Sequence, residues 1–225
     1  MTESVSAAPR PAPTPSPAPG PAGPAPEPVL DAELILGRYD RAFQVVDGVV
    51  QVVPEGSWAL PTPCPDWSAR DVLAHLLWGQ DLIAAWLDDR PAPAPGGPGR
   101  TAEVPDGELA TLWLDTRRGL RTRLDGDALA RPVQSRLLGP TTIGRFLLMF
   151  PNDALLHAWD IATGTGVPVA LPEDLAVVYL SWGEANESRL RGPGGFGPRI
   201  VVPEDAGVVD RWLGFAGRRP PTPAG

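Results

Sequence analysis

Between Ile143 and Gly166 the sequence reads IGRFLLMFPNDALLHAWDIATGTG. Phe146, Leu147, Leu155, Leu156, Trp159 and Ile161 recur at helical spacing, and Thr141 or Thr142 just ahead offers a side-chain cap. The stretch therefore predicts a helix from Ile143 to about Thr163. Pro151 lies inside it, without a backbone donor and with a ring that crowds the preceding turn, so a kink or a restart is expected around Phe150. Gly164 and Gly166 are expected to end the helix.

Helical patterning extends in both directions. Leu30, Leu34, Leu36, Tyr39, Phe43, Val46, Val49, Val50 and Val53 predict a long first helix closed by Pro54. After a proline-rich connection, Ser68-Ala-Arg-Asp71 is a capping-box signal for a second helix that runs to Arg90 and Pro91. A Pro/Gly loop leads to a third helix, starting near Asp106 and carrying Leu109, Leu112, Trp113, Leu120 and Leu124, and a break spans Pro132 to Pro140. Beyond Gly166, Pro172-Glu-Asp opens a fifth helix through about Arg191, and a short last helix is expected near Ala206 to Ala216. Only Arg199 to Val202 has a strand-like pattern. The expected architecture is all-α, an antiparallel bundle of four long helices with additional C-terminal helices.

The segment before this pattern is of another kind. Residues 1–28 are dominated by Pro, Ala, Gly and Ser, too poor in apolar groups to offset the entropy of ordering, and are expected to be a disordered tail. The bundle domain is expected over 29–218, with a second disordered tail at 219–225. The N-terminus lacks the basic and apolar regions of a signal peptide, and no apolar run approaches membrane-spanning length, so a cytoplasmic protein without membrane contact is expected.

Composition excludes several chemistries. Cys64 is the only cysteine, which removes intramolecular disulfides and cysteine-cluster metal sites. All 19 basic residues are arginine, which rules out lysine Schiff bases and the phosphate-binding lysine of a P-loop. A net charge of -8 disfavours a non-specific grip on nucleic acid.

The chain has two histidines, His75 and His157, each embedded in a helical run. Asp153 lies one turn before His157, ~40° away around the helix, so both can point at one atom. With His75 from a facing helix, they would supply two imidazole nitrogens and a carboxylate oxygen, a donor set of the kind catalytic zinc sites use. Asp160 returns to nearly the same face and is placed behind the ligands, accepting a hydrogen bond from a histidine or a bound water. On spacing alone, core histidines satisfied by helix hydrogen bonds are the commoner arrangement. Cys64 reads as a small packed residue rather than a reactive thiol, and Asp71 as the acidic member of the capping box.

At these residues a family resemblance enters. Residues 61–75 (PTPCPDWSARDVLAH), 152–166 (NDALLHAWDIATGTG), 202–206 (VPEDA) and 210–218 (DRWLGFAGR) resemble, in order and spacing, the metal-binding domain of mycothiol-dependent maleylpyruvate isomerases and their single-domain relatives. The resemblance runs from about residue 30 to 218. It implies a DinB/YfiT-like four-helix bundle and carries His75, Asp153 and His157 over as ligands of a divalent metal, with zinc the first candidate. The isomerase itself resembles this pattern with glutamate where this chain has Asp153, and its further C-terminal domain is not expected within these 225 residues.

The expected function is that of a metal-dependent transferase or isomerase. Its metal would hold a low-molecular-weight thiol, mycothiol as cosubstrate, and deliver it to an electrophilic substrate. Two other functions fit the same ligands: hydrolysis by a metal-activated water that Asp160 orients, and a non-catalytic binding protein whose metal pins helices together. A fourth protein ligand such as Glu184 or Glu187 would favour the last. A homodimer is among the assemblies open to the chain.

Overall fold

The structure, a computed structural model, describes residues 31–97, 99–136, 138–191 and 195–220. The expected N-terminal tail and most of the C-terminal one lie outside the described residues.

The first helix, α1, spans Ala32–Val50. Asp31 caps it by accepting from the Leu34 N–H at 3.1 Å, and Ile35, Tyr39, Ala42, Phe43, Val46, Val49 and Val50 form its buried stripe. The second, α2, spans Ala69–Leu87 behind the Ser68/Asp71 capping box. It stops short of Arg90 and Pro91. A 3-10 turn at Asp106–Glu108 leads into α3, Leu109–Arg121.

The stretch from Ile143 to Gly166 divides as its proline requires. Thr142 caps a short α5, Ile143–Leu147, and α6 begins afresh at Phe150 with Pro151 in its first turn, where no backbone donor is needed, and runs to Thr165. Gly166, at φ 73°, takes the left-handed position that stops α6. Gly164 does not help end the helix. Its role is steric: a Cβ there would lie 2.6 Å from the Pro61 carbonyl oxygen.

Helices α1, α2, α3 and α6 form the bundle: α6 lies along α1 and α2, and α3 touches both of these on the other side. Its centre is aromatic. The Phe43 ring stacks on Tyr39 at 4.3 Å and on Trp113 at 5.8 Å, and meets Phe150 at 5.2 Å. Such pairs add to what burial alone contributes. Close approach of α2 to α6 depends on Gly79, where a Cβ would fall 2.4 Å from the Phe150 ring.

Four sequence expectations are corrected. The stretch from Pro132 to Pro140 is not a plain break: α4, Gly126–Ala130, leads into an antiparallel hairpin of β1, Pro132–Ser135, and β2, Gly139–Thr142. With β1 exposed at two of its four positions and β2 containing Gly139 and Pro140, apolar alternation is too weak to reveal the hairpin. The Arg199 to Val202 run is not a strand, being held by one hydrogen bond from the Ile200 N–H to the Gly214 carbonyl, at 2.8 Å. The expected fifth helix is two, α7 at Glu173–Ala185 and α8 at Glu187–Leu190, parted at Asn186, whose side chain donates to the Trp182 carbonyl. The first helix ends at Val50 rather than at Pro54, with Gln51 as its cap, the side-chain amide donating to the Asp47 carbonyl.

The last helix, α9, spans Val208–Phe215 and packs on α7. Trp212 ties it to α6 by donating to Asn152 Oδ1 at 3.0 Å, and Arg41 ties α1 to α7 through a two-pronged pair with Asp174. Among the described residues no helix is long and apolar enough to cross a membrane.

Candidate metal centre

His75 on α2 faces Asp153 and His157 on α6. Its Nε2 lies 3.0 Å from Asp153 Oδ2, and His157 Nε2 lies 3.4 Å from Asp153 Oδ1. The two imidazole rings are 5.0 Å apart, edge to face. One donor atom from each residue falls within 4.8 Å of the other two. Around a tetrahedral ion with bonds of about 2.0–2.1 Å, ligand atoms stand about 3.3 Å from one another. The two separations through Asp153, to its two oxygens, are of that size, and two imidazoles with one carboxylate are donors of the kind that hold a small divalent cation.

The second nitrogen of His157 is committed elsewhere. Nδ1 lies 3.0 Å from Oδ2 of Asp160, which is completely buried. This carboxylate also accepts from Arg218, through Nε at 3.2 Å and Nη2 at 2.7 Å, while Arg218 Nη1 donates to the Ala216 carbonyl. With Nδ1–H donating to Asp160, the Nε2 lone pair is the one left for the Asp153 side. A carboxylate behind a ligand histidine fixes its tautomer and ring orientation in this way.

Charge in the cluster is tightly coupled. Burial disfavours a charged His157, but the carboxylates of Asp153 and Asp160 outweigh it and push the imidazole up to about 9. Burial likewise acts against Asp153, and the two imidazoles reverse that, holding its carboxyl well below the usual range. Burial raises and then His157 and Arg218 lower the Asp160 carboxyl, for a net fall. Without a metal, His157 is an imidazolium between two carboxylates at neutral pH.

Tryptophans wall the site. Trp67 lies against both histidines, 5.7 Å from His157 in a stacked arrangement and 5.1 Å from His75, and Trp78 stacks on the far side of His75 at 5.7 Å. Trp67 is placed by a compact turn in which the Thr62 hydroxyl donates to the Trp67 carbonyl at 2.9 Å. That turn rests on α6 at Gly164, where nothing larger than hydrogen leaves room for the Pro61 carbonyl. The site opens on one side: the side chains of His75 and Asp153 are 27% and 38% exposed, that of His157 8%.

Cys64 stands in the same turn, with its sulfur near His157 and Asp160. Burial, with Asp160 adding to it, pushes the thiol up to about 11, so it stays protonated. Asp71 serves the capping box. Glu184 and Glu187, carboxylates able in principle to close the metal site, lie instead with Arg199, and Glu187 also binds Arg191. Two contributors are not assigned to the site by sequence spacing. Trp67 is indistinguishable there from any core tryptophan, and Arg218 is far from Asp160 along the chain, marked only as the last residue of the 210–218 motif.

Comparison with known proteins supplies a further set of observations. The family described as mycothiol maleylpyruvate isomerase N-terminal domain matches residues 39–162. An uncharacterized protein of Mycobacterium tuberculosis, Rv0738 in strain H37Rv and MT0763 in strain CDC 1551, is 27% identical over 165 residues, covering 70% of this chain and 83% of its own. Two crystal structures share the fold at 14% identity. The mycothiol-dependent maleylpyruvate isomerase aligns with a TM-score of 0.56 over 79% of this chain and 78% of its own, and a histidine-to-alanine mutant of it with 0.57 over 73% and 75%.

Proposed function

The chain belongs to the mycothiol maleylpyruvate isomerase N-terminal domain family, and from that premise we propose that it is a divalent-metal protein using a small thiol, of the mycothiol class, in transfer to or isomerisation of an electrophilic substrate. His75, Asp153 and His157 are the proposed ligands, zinc the first candidate metal, and the bundle over 29–218 the working unit. One observation carries the reading: the three side chains converge from two helices, a donor atom of each within 4.8 Å of the other two, and lie beside an opening, with neither Glu184 nor Glu187 among them. Three protein ligands with an accessible fourth position are the arrangement of catalytic rather than structural zinc sites.

A divalent metal held there supplies Lewis acidity that lets a thiol ionise near neutral pH. The residues around it do the rest. Asp160 holds the Nδ1 proton of His157, so that Nε2 faces the ligand position, and Arg218 offsets the charge of Asp160. Trp67 and Trp78 present flat apolar surfaces against the histidines, leaving the approach to the ligand position on the open side. Cys64, protonated and without a cysteine partner, is no redox pair, which leaves an external thiol as the sulfur source.

The test is metal analysis of protein purified without chelators or a nickel column. About one equivalent is expected in the wild type and none in His75→Ala or His157→Ala, with helical content retained. Stoichiometric metal in both variants would overturn the ligand assignment. Metal-loaded protein should then accelerate attack of mycothiol on maleylpyruvate or monochlorobimane. Equal rates in wild type and His157→Ala would overturn the thiol chemistry.

A further inference from the structure

Two large apolar side chains that water would disfavour stand together on the outer surface. Val201 is 95% exposed, and Val177 on α7 is 54% exposed. Both line a trough of about 530 Å³ bounded by α7, α9 and residues 199–202, with Leu180, Val202 and Val208 alongside. Single exposed apolar residues are ordinary, whereas apolar residues gathered on one concave surface mark a place for a partner.

The backbone beside the trough is unfinished as well. Residues 199–203 run without a turn or bend, and Ile200, Val201 and Val202 are β-branched side chains suited to a strand. The Ile200 N–H is taken by the Gly214 carbonyl. The N–H and C=O groups of Val201 and Val202 have no partner among the described residues. An edge of this kind is a template for a second strand. Pro198 and Pro203 bracket it, and since neither can donate a hydrogen bond, pairing is confined to residues 199–202.

Charges around the edge complement their own reversed order. Arg199 opens the run, and although it binds Glu187 at 2.7 Å its side chain stays 46% exposed. Glu204 follows the run, exposed and without a partner among the described residues. Turning a second copy antiparallel about Val201 brings its Glu204 beside Arg199 of the first, and the same contact recurs on the other side of the axis. Opposite charges therefore meet twice.

We propose that this edge is a docking surface for a second copy of the chain, the two pairing antiparallel through residues 199–202 across a two-fold axis, with Val201 of each at the centre. Two short strands paired alone are marginal, and the apolar trough supplies the burial that holds them. Two-fold pairing occupies the edge on both copies and leaves none to recruit a third. None of His75, Asp153 and His157 lines the trough, so the association stands apart from the metal reading.

Sedimentation velocity of the full chain, from micromolar to millimolar concentration, tests this. A monomer–dimer equilibrium is expected in that range, the regime of small interfaces. Val201→Pro removes the central N–H at a position with almost no packing to lose, and should give a monomer with an unchanged melting temperature. Val201→Thr, which keeps the N–H and the β-branch, should still dimerise. Glu204→Arg should raise the dimer Kd about five- to tenfold, the size expected for two exposed ion pairs. The Val201 amide should resist hydrogen exchange at high concentration and lose that protection on dilution. A monomer at every concentration, a dimer indifferent to Val201→Pro, or an unchanged Kd in Glu204→Arg would overturn the proposal. Protection of Val201 that persists on dilution would overturn it too, by placing a segment of the same chain on the edge.

Discussion

Lowering the pH from 9 to 7 should weaken metal binding by about two orders of magnitude, for a reason visible in the cluster. A metal at the proposed site needs the Nε2 lone pair of His157, and in the metal-free protein that imidazole holds its proton up to about 9. At pH 7 roughly one molecule in a hundred has it free, a cost of about 2.7 kcal/mol at ~1.36 kcal/mol per pH unit. Apparent affinity should therefore rise about tenfold per unit between pH 7 and 9 and level off above. Binding at pH 7 should release about one proton. Calorimetry in buffers of differing ionisation enthalpy counts that proton, and competition against a chromophoric chelator, corrected for its own protonation, gives the affinity. The sign for stability is opposite. A folded-state pKa raised above the unfolded value of about 6.5 stabilises the metal-free fold fully below that pH and is lost as pH rises through about 9, so metal-free protein should melt lower at pH 10 than at pH 7. Affinity independent of pH from 7 to 9, with no proton released, would mean that His157 is neutral beforehand or is not a ligand, and the electrostatic reasoning would fall.

Arg218→Met should destabilise the protein by about 3–5 kcal/mol in chemical denaturation, because it removes the cation from a fully buried carboxylate; a loss below 1 kcal/mol would show that Asp160 is protonated or hydrated instead. Gly164→Ala should cost about 1–3 kcal/mol, since its Cβ meets the backbone of Pro61 rather than a movable side chain, and it should change the fluorescence of Trp67 as the turn lifts off α6; an unchanged melting temperature would refute that close approach.

Local signals served the sequence reading best where one residue decides one geometry. Pro151 announces the restart at Phe150, Ser68 and Asp71 announce the start of α2, and the four-residue step from Asp153 to His157 announces a shared face. That His75 joins them required the family resemblance, because helical periodicity does not say which helix a histidine faces. The hairpin of β1 and β2 escaped for want of apolar alternation, and α4 because five residues carry too little pattern. Arg218 and Trp67 escaped for a different reason: their roles exist only through contacts between distant parts of the chain, and nothing in either neighbourhood encodes the partner.

The bond between Asp160 and Arg218 spans 58 residues, and it sets an order of events during synthesis. All three proposed ligands, and the carboxylate that orients His157, are made well before the guanidinium that compensates that carboxylate. Until residue 218 is available, α6 must keep Asp160 hydrated or protonated, which leaves that end of the helix unable to bury itself. Contacts between distant parts of a chain tend to form later than local ones. The bundle can thus gather around its aromatic centre early, while a properly aimed His157 waits for α9 to dock. Alignment of the proposed centre then depends on residues 208–218 having already docked against α6 and α7.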